Sequence, residues 1–148
     1  MSLGTYGKIG VVGGILALIG ALLPWWNISA NAGGYLAVSV PVLGIFTPGG
    51  ILAAAFGVIG IVFATRRPSV ATGTLVLISG VLAAVGAVVW GVMMPTASVS
   101  GGGASASITA GYGYWLSLVG GLVLLFAGVL AFGEARKTPG PVPTAPTL

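Results

Sequence analysis

The chain has no cysteine, no histidine and no aspartate, and Glu134 is the single acidic side chain among its 148 residues. Without cysteine there is no disulfide, thiolate nucleophile or zinc-thiolate cluster, and the redox compartment is left open. The missing histidine and aspartate exclude more. Acid–base, hydrolytic and metal chemistries draw on those residue types or on paired carboxylates. No catalytic, cofactor or metal site is therefore expected, and the chain reads as a non-enzyme. Charge of either sign is also scarce: 4% of the residues carry one, against about 25% in a typical water-soluble domain. With 57% hydrophobic residues, such a chain cannot clothe itself in a soluble surface.

What charge there is sits in three places: Lys8, then Arg66 and Arg67, then Glu134, Arg136 and Lys137. The net charge of +4 does not mark a nucleic-acid partner, because these cations are scattered at the ends of apolar runs rather than gathered on one surface. Membrane orientation accounts for them. Four apolar runs lie between the charges. The first, about residues 8–26, contains the 18 uncharged residues Ile9 to Trp26, close to the roughly 20 needed for a helical span. It is read as a retained span rather than a cleaved signal, with Pro24-Trp25-Trp26 as its exit and the indoles either anchored at the membrane interface or, for one of them, plugging the base of the outer loop. The others cover about 48–65, 70–94 (closed by Pro95) and 112–132. Thr47-Pro48 and Ser69 supply N-caps for the second and third, and Arg66-Arg67-Pro68 makes a tight basic turn. Thr138 to Leu148, with four prolines, reads as an extended cytoplasmic tail.

The even number of runs puts all charges on one side, which the excess of Lys and Arg makes cytoplasmic. The expectation is a multi-pass protein of the cell membrane with both termini inside and the four tryptophans (Trp25, Trp26, Trp90, Trp115) at the outer face. Both outer loops, 27–47 and 95–111, are uncharged. Leu36, Val38, Val40 and Val42 alternate with smaller residues, the period of a strand. Asn31-Ala32-Gly33-Gly34 is a turn signal that makes a hairpin returning from Trp26, and Pro41 belongs at an edge or a strand end. Ser105, Ser107 and Thr109 alternate in the same way in the second loop. Asn27-Ile28-Ser29 matches a glycosylation acceptor, placed too close to the membrane for ready access.

Small residues recur at spacing four in every run: Gly10 and Gly14; Gly13, Ala17 and Ala21; Ala53 and Gly57; Gly60 and Ala64; Ala83, Ala87 and Gly91; Gly113, Ser117 and Gly121. Such stripes let helix backbones approach. Four short spans are expected to leave at least one stripe facing another protein. Glu134 and Lys137, three apart, read as an interfacial ion pair. Ser79, Ser117 and Thr74 are the hydroxyls that would line a path for a neutral solute.

Leu23-Pro24-Trp25-Trp26-Asn27-Ile28-Ser29-Ala30 resembles the end of the first span in claudins and claudin-like tetraspan proteins. The close of the third run at Val88-Val89-Trp90 and Pro95 is similar to the claudin third span, and Gly111-Tyr112-Gly113-Tyr114-Trp115 with Gly120-Gly121 to the entry of the fourth. The resemblance implies an all-α membrane protein, a left-handed bundle of four transmembrane helices capped outside by a small antiparallel β-sheet formed by the two outer loops, with Trp25 or Trp26 as the aromatic of the first outer segment. The claudin Gly-Leu-Trp and cysteine pair are absent, so tight-junction function is not implied. The expected function is structural: assembly with copies of itself or lateral packing with partners, with contact candidates Trp25, Trp26, Val38, Val40, Trp90, Ser107, Trp115, Ser117 and Gly121. The lipid bilayer and other membrane subunits are the expected partners. The alternatives are an accessory subunit of a larger complex and a small channel or carrier for a neutral solute.

Overall fold

Two hairpins interrupt a run of four helices, one after the first helix and one before the last. The computed structural model describes residues 4–67, 69–94 and 96–137, the side chain of Lys137 excepted. The Pro-rich tail over 138–148, Pro68 and Pro95 lie outside the described residues. In chain order the elements are α1 (Thr5–Leu22), β1 (Pro24–Ala32), β2 (Leu36–Leu43), a single 3-10 turn (Gly44–Phe46), α2 (Pro48–Ala64), α3 (Val70–Met93), β3 (Ala97–Gly101), β4 (Ala104–Ala110) and α4 (Tyr112–Lys137).

The helix boundaries follow their local chemistry. Thr47 caps α2, its hydroxyl accepting from the Gly50 N–H at 3.1 Å, with Pro48 in the first turn. Ser69 caps α3 by accepting from the Thr72 N–H at 3.1 Å. Two boundaries differ from expectation. The first helix stops at Leu22, so Pro24, Trp25 and Trp26 are not its last turn but the start of β1. The cause is the restriction that proline places on the residue before it: Leu23 is extended, at φ −87° and ψ 163°. The fourth helix continues past Phe132 to Lys137, which puts Glu134 and Arg136 on the helix itself.

α1 packs on α2 and α4, and α3 packs on α2 and α4, each neighbour running antiparallel. Small residues line these seams. A Cβ on Gly13 would lie 2.8 Å from the Leu124 backbone nitrogen, and one on Gly121 would lie 2.8 Å from that of Ala84. The buried positions of α1 are almost all Gly or Ala, while Ile15, Ile19, Leu82 and Phe126 stand exposed on the outside. Small inside and large outside is the pattern of a bundle whose solvent is hydrocarbon, where tight van der Waals packing holds helices together. α1, α3 and α4 are long and apolar enough to cross a membrane, and α2 is an apolar helix of 17 residues. The arrangement fits a tetraspan-like membrane protein.

One expectation is corrected here. Every small-residue row is buried or packed against a neighbouring helix or Tyr114, so no stripe is left facing outward. Four helices arranged in a square give each helix two neighbours, and that is enough to occupy both rows of α1 and of α2.

Gly20 tests this packing. A Cβ there would overlap the Ser117 backbone and lie 2.8 Å from the Gly113 carbonyl oxygen. Gly20→Val should destabilise the fold by about 2–3 kcal/mol or more. Gly133→Ala, where an added Cβ meets nothing within 4 Å, should be neutral or stabilise by up to about 1 kcal/mol through helix propensity. Denaturant unfolding of both variants in one detergent measures the difference, and equal stabilities would refute seam-controlled packing.

Candidate functional site: an uncharged outer sheet and its aromatic root

Both outer loops fold into a single four-stranded antiparallel sheet, in the order β2-β1-β4-β3. The first hairpin turns through Gly33 and Gly34, at φ 60° and 77°, and the second through Gly102 and Gly103, at φ 59° and 82°. These left-handed conformations are glycine's own. The two turns are joined, the Gly33 N–H donating to the Gly103 carbonyl at 2.8 Å. Pro41 lies in β2, an edge strand, where a missing N–H can be directed away from the ladder.

The register separates the two faces by polarity. On β1, Trp26, Ile28, Ala30 and Ala32 share a face, with Val42, Val40, Val38 and Leu36 opposite them on β2. Across the other side of β1 they meet Ala110, Ile108, Ala106 and Ala104 of β4, and Ala97 and Val99 of β3 extend the same face. It is apolar throughout. The reverse face carries Asn27, Ser29 and Asn31 against Thr109, Ser107 and Ser105, and the Ser29 and Ser107 hydroxyls are hydrogen-bonded at 2.8 Å.

The sheet is rooted in the bundle through Trp25 and Trp26. Register slips between Pro24 and Trp26, so Trp25 is an extra residue in β1. Such a bulge twists the strand and re-aims its side chains. Both indoles are buried, at 0% and 3% exposure, in a cluster with Ala21, Ala53 and Ala87. They are not exposed interfacial anchors, as their position after an apolar run suggests, but the plug between sheet and helices. The Trp25 indole N–H donates to the Gly20 carbonyl at 3.0 Å. Tyr114 sits against both indoles and against Trp115, with ring centroids 5.8, 6.2 and 5.0 Å away. The Gly111 N–H donates to the Trp25 carbonyl at 2.7 Å and the Gly44 N–H to the Leu23 carbonyl at 3.0 Å, tying both loop ends to the same point.

The remaining candidates are spread over the sheet and the bundle. Val38 and Val40 are exposed on the β2 edge strand, and Trp115 is exposed at the start of α4. Trp90 packs on α2 above Gly49, where an added Cβ would meet its Cβ at 2.7 Å. Ser107 lies on an inner strand, so the free edge of the second hairpin is β3 instead. Ser117 and Gly121 are buried in the α4 seams, with the Ser117 hydroxyl donating to the Ala17 carbonyl at 3.4 Å. Ser79 and Thr74 donate to the Leu75 and Val70 carbonyls at 2.8 and 2.9 Å. All three hydroxyls serve helix carbonyls, those of Ser79 and Ser117 inside the packed bundle and that of Thr74 at its surface. Asn27 of the glycosylation match sits on an inner strand, half-buried.

At the opposite end, the side chain of Lys137, the partner that spacing suggests for Glu134, lies outside the described residues, and Glu134 reaches across to α1. Its carboxylate accepts from the Tyr6 N–H at 3.3 Å, in the first turn of α1. There it meets the positive end of the helix dipole. Gly4, the N-cap residue, has no side chain to do this. Tyr6 in turn donates its hydroxyl to the Arg66 carbonyl. Spacing within one helix could not reveal a contact between the two ends of the chain.

The chain matches no protein-family model and no curated protein.

The two buried indoles differ in one respect: Trp26 Nε1 has no acceptor among the described residues. Trp25→Phe and Trp26→Phe remove the same volume from buried sites, but only the first breaks a hydrogen bond, leaving the Gly20 carbonyl with the longer 3.3 Å bond from the Leu23 N–H. Trp25→Phe should therefore cost about 1 kcal/mol more, read as the difference between the two unfolding midpoints converted to free energy. Glu134→Gln should cost about 0.5–1 kcal/mol by weakening the α1 cap, and an unchanged unfolding curve would refute that role.

Proposed function

We propose that the chain is a non-enzymatic structural protein of the cell membrane that assembles with copies of itself through its outer sheet. In this reading all four helices cross the bilayer, α2 included, with both termini cytoplasmic and the sheet outside. Its charges support that orientation: Lys8, Arg66, Arg67 and Arg136 all lie at the end of the bundle remote from the sheet. The claudin-like reading belongs here too, supported by the element order and by a sheet drawn from both loops over the outer ends of the helices. No catalytic role is assigned, since the one carboxylate that acid–base chemistry would need is engaged at α1.

The observation that carries the proposal is the state of the sheet's edges. β2 and β3 are both terminal strands, and no charged residue lies anywhere on the sheet. Natural edges are usually blunted by lysine, proline or a covering segment, because an open strand is a template for another. β2 carries Pro41; β3 carries neither lysine nor proline.

The β3 edge gives the test. Gly101 and Ala104 close the second hairpin, so by antiparallel alternation Ser98 directs its backbone N–H away from β4. Ser98→Pro removes that outward donor and keeps the hairpin's own bonds. The complex extracted from source membranes in mild detergent should have a mass that is a multiple of this chain, and Ser98→Pro should shift it to smaller species. A monomer at every concentration would overturn the proposal. Co-purification of a fixed set of other chains would replace self-assembly with an accessory-subunit role.

A further inference from the structure

The two edges of the sheet are complementary to each other, and an even number of strands makes them so. In the order β2-β1-β4-β3, with every pair antiparallel, β3 runs away from the bundle and β2 runs back towards it. Their hydrogen-bonding phase matches as well. The Gly33 N–H donates to the Gly103 carbonyl and the Gly111 N–H to the Trp25 carbonyl. Odd-numbered β1 residues therefore turn their backbone groups to β4, and even-numbered ones to β2. By the same alternation, Ala37 and Ser39 of β2 and Ser98 and Ser100 of β3 direct N–H and C=O outward. Pro41 holds an outward position too, with no N–H to offer.

We infer that β3 of one copy adds to β2 of the next, head to tail, with Val99 opposite Val38. The inference rests on the self-assembly reading above and deepens it by naming the two edges that meet and their register. Three observations fix that register. The first is level. Gly101 lies in one row with Ala104, Ala32 and Leu36. Continuing the row past the edge sets Gly101 beside Leu36 of the next copy, Ser100 beside its Ala37 and Ser98 beside its Ser39. Both of the last two pairs join outward-pointing residues, so each exchanges backbone hydrogen bonds in both directions.

The second observation is Pro41. β3 has five residues, Ala97–Gly101, and Leu36–Val40 offers an equal length of β2 ahead of its proline. In the level register Pro41 falls beyond the end of β3. A slip of two residues one way sets Ser98 against Pro41 and loses a donor; a slip the other way carries Ser100 off β2 to Tyr35 in the turn. The proline thus stops the register without closing the edge. The third observation is polarity. Ala97, Val99 and Gly101 meet Val40, Val38 and Leu36 on the apolar face, Ser98 and Ser100 meet Ser39 and Ala37 on the other, and no charge opposes the contact.

Pairing β3 with β3 of a second copy would also be antiparallel, but it reverses the second sheet. The strand roots lie at the bundle and the glycine turns at the far end, so that reversal sends the second bundle beyond the turns and leaves both β2 edges open. Joining β3 to β2 keeps both bundles at the same end of the shared sheet, as copies in one bilayer require. Such a heterologous contact repeats from copy to copy. Strand twist of roughly 20–25° per step turns each copy against the last, so the rows are short.

The chain has no cysteine, so introduced cysteines report the contact directly. Val99 and Val38 of the next copy would face each other at a non-hydrogen-bonded site, with Cα atoms about 4.5 Å apart, within disulfide range. Within one copy they stand on opposite edges, three strand spacings or roughly 14 Å apart, too far to join. Both are exposed, at 50% for Val38 and 71% for Val99, so their replacement leaves the core intact. The experiment oxidises source membranes carrying the full chain with Val38→Cys and Val99→Cys and reads the products on a non-reducing gel. Dimers and a short ladder are expected, and adding Ser98→Pro should lower them by about tenfold. Each single cysteine variant alone should give no link, and the two singles mixed should give dimers only. Linking by Val99→Cys alone would show β3 paired with β3, and linking by Val40→Cys with Val99→Cys in place of Val38→Cys would show a shifted register; either overturns the inference. Absence of any link, where the unsubstituted complex has the mass of several copies, overturns it and leaves self-assembly standing. An unsubstituted chain that is monomeric overturns both.

Discussion

Backbone approach at glycine is the constraint on which this structure turns. Helices in hydrocarbon gain nothing by exchanging lipid for leucine, so they associate through shape. Here Gly13, Gly20, Gly120 and Gly121 bring neighbouring backbones to distances at which a single Cβ would not fit. The consequence reaches function. A bundle closed this tightly spends its small-residue stripes on itself and hands its few hydroxyls to helix carbonyls. Beyond the bundle the sheet stays open, with β2 and β3 as uncovered edge strands.

The sheet depends on the bundle through one junction. Pro24 ends α1 and turns the chain into β1, and the extra residue Trp25 rotates the strand so that two consecutive indoles enter the core. The Gly20 carbonyl, the Gly44 and Gly111 N–H groups and the Tyr114 ring all converge there. Both hairpins thus leave the helices from one fixed root. Tied again at their tips through Gly33 and Gly103, they form one surface rather than two independent loops.

That surface is amphipathic without being charged. Serine, asparagine and threonine cover one face and alanine, valine, leucine and isoleucine the other, with open strand edges on both sides. Edge and face offer different chemistry. The edges present backbone hydrogen-bonding groups suited to another strand, and the face presents an open trough floored by alanine.

Much of this was legible in the residues. The apolar runs, the caps at Thr47 and Ser69, the glycine turns, the Leu36–Val42 strand and the alternation around Ser107 are local patterns, set by side-chain sterics and backbone hydrogen bonding within a few residues. Tertiary structure alone decided the rest. The bulge at Trp25, the burial of both indoles, the sharing of one sheet by loops some seventy residues apart (Ser29 with Ser107, |i−j| of 78) and the capping of α1 by Glu134 all join distant segments. Periodicity assigns an alternating strand two faces but not their surroundings, because burial is a property of what packs against a face and not of the strand that carries it.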